Sequence, residues 1–143
     1  MIAIGSDHAG FEYKQLIKEY LIDKGYEVKD CGCDSKQEVD YPVYGEKTAR
    51  LVASGECEKG ILVCGTGVGI SLAANRVKGI RCVVCSDTFT ARASRMHNDT
   101  NMLALGERVI GIKLAYDIID SWLNAEFEGE RHIKRVNMLD EIE

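Results

Sequence analysis

The chain of 143 residues predicts an α/β fold, a five-stranded parallel sheet with helices covering both faces. Three observations carry that expectation. Short apolar runs alternate with helix-period segments along the whole length, five times over. Several of these runs are continuous in Val, Ile and Leu, as in strands buried on both faces. The densest glycine cluster, at residues 65–69, follows one such run and opens directly onto a helix.

Taken in order, Met1–Ser6 is a short buried strand that ends in Asp7-His8-Ala9-Gly10. From Phe11 to Lys24 the apolar residues Phe11, Leu16, Ile17, Tyr20 and Leu21 recur at helical spacing, and Gly25 stops the helix. Tyr26–Cys31 is a second strand, placed at an edge because it carries Glu27, Lys29 and Asp30. Residues 32–40 are polar loop, and Tyr41-Pro42 starts a helix that runs to about Ser54.

The third strand is 60–64, followed by the glycines and a helix through Asn75. Arg81–Ser86 is the fourth strand, and Asp87 caps a helix reaching about Met96. His97-Asn98-Asp99-Thr100-Asn101 is a polar turn before the fifth strand, Met102–Gly106. Ile112–Ala125 is an amphipathic helix with Trp122 on its apolar side, and after Gly129 a charged helix runs from Glu130 to the end. With no repeat and no linker, residues 1–143 form one domain: a three-layer αβα sandwich of Rossmann-like type.

Composition sets the outer limits. Apolar residues make up 45% and charged residues 29%, those of an ordinary globule. A net charge of −5 argues against a nucleic-acid partner, since no basic excess neutralises phosphates. No apolar run reaches membrane-spanning length and no leader is read at Met1, so the expected location is the cytosol and no membrane partner is expected. Six cysteines lack metal-ligand spacing: Cys82 and Cys85 fall three apart in a strand pattern and face opposite sides, and Cys31-Gly-Cys33 has no second pair. No metal and no cofactor is expected.

Chemistry concentrates at Cys64-Gly-Thr-Gly-Val-Gly69. Glycines bring bare N–H groups close to a ligand, and the helix behind them leaves its first N–H groups unpaired at the positive end of its dipole. Together these form an anion cradle. Cys64 stands at its lip, where a helix N-terminus favours a thiolate; the alternative is a small buried hydrophobe. The glycine pattern alone fits a phosphate, a dinucleotide or an enediolate. Parallel sheets bind ligands beyond the carboxyl ends of their strands, and Asp7-His8, Cys64–Gly69, Asp87 and Glu107-Arg108 all fall there. Asp7 either takes part in proton transfer or caps the following helix. Arg131 and Arg135, four apart, share a helix face with His132 and Lys134 nearby, either as a phosphate clamp or as plain surface.

The motifs Gly5-Ser-Asp-His-Ala-Gly-Phe11, Asp40-Tyr-Pro42, Cys64-Gly-Thr-Gly-Val-Gly-Ile-Ser71, Ala74-Asn-Arg76, Gly79-Ile-Arg-Cys-Val-Val84, His97-Asn-Asp-Thr-Asn101 and Gly106-Glu-Arg-Val109 resemble, in order, the ribose-5-phosphate isomerase B family. That family includes sugar-phosphate isomerases of six-carbon substrates. The resemblance implies an aldose–ketose isomerase that interconverts ribose 5-phosphate and ribulose 5-phosphate in the non-oxidative pentose phosphate branch, without metal or cofactor. Allose 6-phosphate, galactose 6-phosphate, or a non-catalytic sugar-phosphate-binding subunit are the alternatives.

By the same resemblance Cys64 is the base that moves a proton between C1 and C2 through a cis-enediol. Some relatives use a glutamate at the position of Ile70, which cannot serve here. Gly65, Thr66, Gly67, Val68 and Gly69 would hold the enediolate, with Ser71 closing the motif among the substrate contacts. His97 would open the furanose ring, with Asp7 or Thr66 handling the hydroxyl proton. Tyr41 and Asn98 would contact the sugar, and His8, Arg108, Arg131 and Arg135 the phosphate.

One expectation follows from order alone. His97 and Asn98 precede the fifth strand and so belong at the rim opposite Cys64. A homodimer or dimer of dimers, in which each site pairs Cys64 of one chain with His97 of another, resolves the mismatch. The C-terminal helix, about residues 130–141, is expected at that subunit interface.

Overall fold

A computed structural model describes residues 1–143. Its strands are β1 (Ile2–Ser6), β2 (Val28–Asp30), β3 (Lys59–Cys64), β4 (Cys82–Val84) and β5 (Met102–Gly106). The helices are α1 (Phe11–Asp23), α2 (Tyr41–Ala53), α3 (Val68–Asn75), α4 (Thr88–Asn98), α5 (Ile112–Asn124) and α6 (Arg131–Glu141). All strand pairs are parallel and the order across the sheet is β2-β1-β3-β5-β4. The chain leaves β1 toward one edge and β3 toward the other, so a crevice opens between the carboxyl ends of these two strands.

Alternation along each strand sorts the core into two layers. Ile2, Ile4, Ile61, Val63, Leu103 and Leu105 pack with Ile17 and Leu21 of α1, Ala91 of α4 and Trp122 of α5. On the other face Ala3, Leu62, Cys64, Met102 and Ala104 meet Ala49 and Val52 of α2 and Ile70 and Ala74 of α3. Cys64 therefore projects from the last position of β3 toward the start of α3. That projection is what makes it available to the loop above.

Both edge strands are shorter than the sequence pattern predicts, three residues each where six were expected. Each pairs with a single neighbour and along only three of that neighbour's residues, Ile2–Ile4 of β1 and Met102–Ala104 of β5. On β4 the free edge is occupied by a side chain: Asn75 donates to the Cys82 carbonyl at 2.9 Å and accepts from its N–H at 2.8 Å. This blocks further strand pairing at that point.

One helix face differs from expectation. Leu16, placed on the apolar stripe of α1, is 40% exposed, whereas Lys14 is only 1% exposed. Lys14 shares the inward face with Ile17 and Leu21, and its Nζ reaches both carboxylate oxygens of Asp30 on β2 at 2.8 Å. Burial raises the Asp30 pKa, but bonds from Lys14, the Gly32 N–H and Lys18 more than offset this, leaving it below the ordinary 3.8. Lys14→Met should lower stability by about 2 kcal/mol near neutral pH, less than for a fully buried pair because Lys18 remains. A depressed folded pKa adds stability above the unfolded value and loses it as pH falls through the folded value. Urea midpoints of wild type and variant should therefore differ at neutral pH and converge in acid.

The corner between α4 and β5 is set by a buried polar network. The Trp122 indole N–H donates to Thr100 Oγ1 at 2.9 Å, which also lies 2.9 Å from Ser94 Oγ. Arg95 bonds the Thr100 carbonyl and reaches Asp99 at 3.0 Å. These contacts hold the last turn of α4, and with it His97 and Asn98, at the amino-terminal rim of the sheet. No helix is long and apolar enough to cross a membrane.

Candidate active site

The glycine turn after β3 lies close over the end of β5. Gly67 has φ +82°, and a Cβ there would meet the Leu105 carbonyl carbon at 2.9 Å. Gly106 lets the Thr66 backbone cross it, since a Cβ would stand 2.7 Å from the Thr66 carbonyl carbon. This positions the Gly67 N–H to donate to Cys64 Sγ at 3.1 Å. Thr66 Oγ1 accepts from the Val68 N–H at 3.2 Å. The N–H groups of Gly65, Thr66, Gly69 and Ile70 have no acceptor within the chain. The turn that follows the thiol thus carries four free donors and leads into the positive end of α3, as an anion site requires.

Cys64 is 5% exposed and is the one cysteine whose sulfur accepts a backbone N–H. Burial pushes the thiols of Cys31 and Cys57 up from their ordinary value. The same cause drives Cys82 and Cys85 up to about 12, which keeps both protonated and unreactive near neutral pH.

Around this turn stand several residues singled out in the sequence. Asp7 Oδ1 accepts from the N–H groups of Ala9 and Gly10 at 3.0 and 3.1 Å, so it caps the single 3-10 turn His8–Gly10. His8 Nδ1 accepts from the Val39 N–H at 3.1 Å, which puts the hydrogen of the neutral ring on Nε2. This contact comes from the polar loop, and no spacing rule reveals it. Tyr41, at the start of α2, lies over Gly69, where an added Cβ would meet its ring at 3.0 Å.

Arg108 lies against Gly65, with Nη1 3.3 Å from where a Cβ would stand, and its N–H donates to the Gly65 carbonyl at 3.0 Å. It therefore reaches the cradle of its own chain. Ser71 turns away: its hydroxyl donates to the Val68 carbonyl at 2.7 Å, within α3. Its oxygen is engaged inside the helix rather than directed at the cradle. Glu107, also at this rim, accepts from the Tyr13 N–H at 2.9 Å, and burial holds its pKa above the ordinary carboxylate value.

The remaining candidates gather elsewhere. His97 stacks on His132 of α6 with ring centroids 4.7 Å apart. Glu128 sits beside them, 3.5 Å from His132 Nε2 and 3.9 Å from both His97 Nε2 and the Arg131 guanidinium. Arg135 follows one turn along the exposed face of α6. Asn98 lines a cleft of about 1010 Å³ bounded by Arg76, Arg81 and Asp140. The five residues of β5, at about 3.3 Å each, separate the two rims by about 16 Å. Within one chain the candidates thus form two groups at opposite ends of the sheet. Glu128 escaped the sequence reading because it lies in an irregular segment of no motif.

A parallel αβα sheet that offers a thiol inside an anion cradle defines a class of enzymes acting on small phosphorylated or enolisable substrates. Comparison with known proteins narrows it. The family model described as Ribose/Galactose Isomerase matches residues 2–139. Ribose-5-phosphate isomerase B of Escherichia coli K12 is 53% identical over 142 residues, 99% of this chain and 95% of that protein. A D-erythrulose-4-phosphate isomerase of Pectobacterium atrosepticum is 45% identical over 129 residues, 90% of this chain and 85% of its own length. The solved structure of Clostridium thermocellum ribose-5-phosphate isomerase B superposes with a TM-score of 0.97 at 56% identity, covering 98% of this chain and 95% of that one. The chain belongs to the ribose-5-phosphate isomerase B family of sugar-phosphate isomerases, and is an isomerase.

Proposed function

We propose that the enzyme interconverts ribose 5-phosphate and ribulose 5-phosphate, with Cys64 as the base. The observation that carries this is the Cys64 thiol under the Gly67 N–H, within a turn whose other N–H groups are free. Starting from the open-chain aldose, the Cys64 thiolate takes the proton from C2, the C–H electron pair forms the C1–C2 double bond, and the carbonyl pair moves onto O1 to give the cis-enediolate. The sulfur proton then returns to C1 while the O2 proton passes to O1 and the C2 carbonyl forms. The free N–H groups of Gly65, Thr66, Gly69 and Ile70 stabilise the oxyanion that develops, an effect of about 3 kcal/mol for each well-placed donor.

Ring opening falls to His97, which protonates the ring oxygen, while Asp7 or Thr66 receives the hydroxyl proton. Asn98 and Tyr41 orient the sugar. His8 donates from Nε2 to the phosphate, and Arg108, Arg131 and Arg135 bind it. Since His97, Asn98, Arg131 and Arg135 lie at the far rim, the working unit is a homodimer in which each site takes its cradle from one chain and these residues from the other. In this arrangement α6 lies at the interface and its arginines meet the partner's cradle.

The direct test is a coupled assay on the purified enzyme across ribose 5-phosphate, erythrulose 4-phosphate, allose 6-phosphate and galactose 6-phosphate. The expected result is the highest kcat/KM on ribose 5-phosphate, and no turnover of any of the four would overturn the reading. Arg131→Ala and Arg135→Ala should each raise KM for ribose 5-phosphate about tenfold or more, with a smaller loss of kcat, because the phosphate is remote from the reacting carbons. Steady-state kinetics of both variants would check this, and an unchanged KM in both would place the clamp elsewhere.

A further inference from the structure

The cluster at the end of α4 has a second chemistry. His97, Glu128 and His132 each offer one donor atom, a ring nitrogen or a carboxylate oxygen, and these three atoms lie within 4.8 Å of one another. Two imidazoles and a carboxylate are a donor set suited to borderline dications. Bonds of about 2.0–2.2 Å in a tetrahedral shell put neighbouring donor atoms about 3.4 Å apart. Glu128 Oε2 already stands 3.5 Å from His132 Nε2, and Oε1 stands 3.9 Å from His97 Nε2. Small side-chain rotations therefore close the set.

A second observation points the same way. His132 is 8% exposed, and its Nε2 is fully buried without a hydrogen-bond partner. A buried polar atom without a partner is destabilising, and a bound cation satisfies its lone pair. Two structural facts support access to the site. His97 and Glu128 are both more than a third exposed in the single chain, and in the dimer proposed above their face opens onto the substrate site, the route by which a small ion enters. The Arg131 guanidinium, the nearest competing cation at 3.9 Å from Glu128, is itself 64% exposed and free to swing away.

We propose that His97, Glu128 and His132 form an inhibitory site for zinc-like dications, whose occupation withdraws His97 from ring opening. Binding is independent of the catalytic assignment; the inhibition rests on the role given to His97 above.

The binding arm uses the full-length Cys64→Ala protein, which removes the cradle thiol as a competing ligand. Titration with Zn²⁺ by calorimetry should show one ion per chain. His132→Phe, which keeps the ring stacked on His97, and Glu128→Gln should each weaken it by at least about tenfold. Co²⁺ in the same protein should give a visible spectrum without a thiolate charge-transfer band. The activity arm uses wild type: Zn²⁺ should inhibit, EDTA should reverse it, and His132→Phe should require at least about ten times more Zn²⁺ relative to its own metal-free rate.

No ion bound, affinity unchanged in both variants, or a thiolate band would overturn the site. Zn²⁺ bound at these residues with full activity retained would overturn the inhibition. A metal-free wild type without isomerase activity would instead break the functional reading, while the calorimetry would still decide the site.

Discussion

Replacing Cys64 by alanine should lower kcat for ribose 5-phosphate by more than about 100-fold, the usual cost of removing a sole base. Binding should survive, because the N–H groups of the cradle, the Arg108 guanidinium at Gly65 and Tyr41 over Gly69 are untouched. The control is Cys57→Ser: Cys57 is buried and its thiol is held protonated, so the rate should stay close to wild type. Steady-state rates with calorimetry of ribose 5-phosphate binding check both halves. Near-wild-type turnover by Cys64→Ala would remove the thiol from the chemistry. Equal losses in both variants would mean that general destabilisation, rather than a missing base, is being measured.

The second large effect is a recovery. Cys64→Ala and His97→Ala, each inactive alone, should regain roughly a quarter of wild-type activity when unfolded mildly, mixed and refolded. Random pairing makes half of the dimers mixed, and each mixed dimer holds one intact site and one doubly damaged site. The structural basis is the separation of Cys64, at the carboxyl end of β3, from His97, at the end of α4 beside α6. Distinct affinity tags on the two variants would isolate the mixed dimers. Isolated mixed dimers without activity would show that His97 serves the site of its own chain.

Much of this protein is determined locally, by residue order. Strand and helix alternation places all five strands within a few residues, because four of them are short apolar runs and the other, Val28-Lys29-Asp30, falls between the helix-stopping Gly25 and a polar loop. Ile61-Leu62-Val63-Cys64 running into the glycines marks both a buried strand and the cradle above it, since period-two alternation and the unpaired start of α3 are both short-range properties. Even the opposite placement of His97 follows from order, as α4 must return the chain to the beginning of β5.

Tertiary structure decided what depends on distant partners. Lys14 occupies the inward face of α1 because Asp30, on a neighbouring strand, supplies the opposite charge, and no helical period anticipates this. The Val39 N–H that selects the tautomer of His8 arrives from a loop 31 residues away. Arg108 joins the cradle of its own chain because β5 pairs with β3, a neighbour relation set by the order of strands in the sheet. Glu128 meets His97 and His132 only because α6 folds back onto α4. In each case the deciding term is a contact between segments far apart in sequence, whose geometry exists only once both layers of the core have packed.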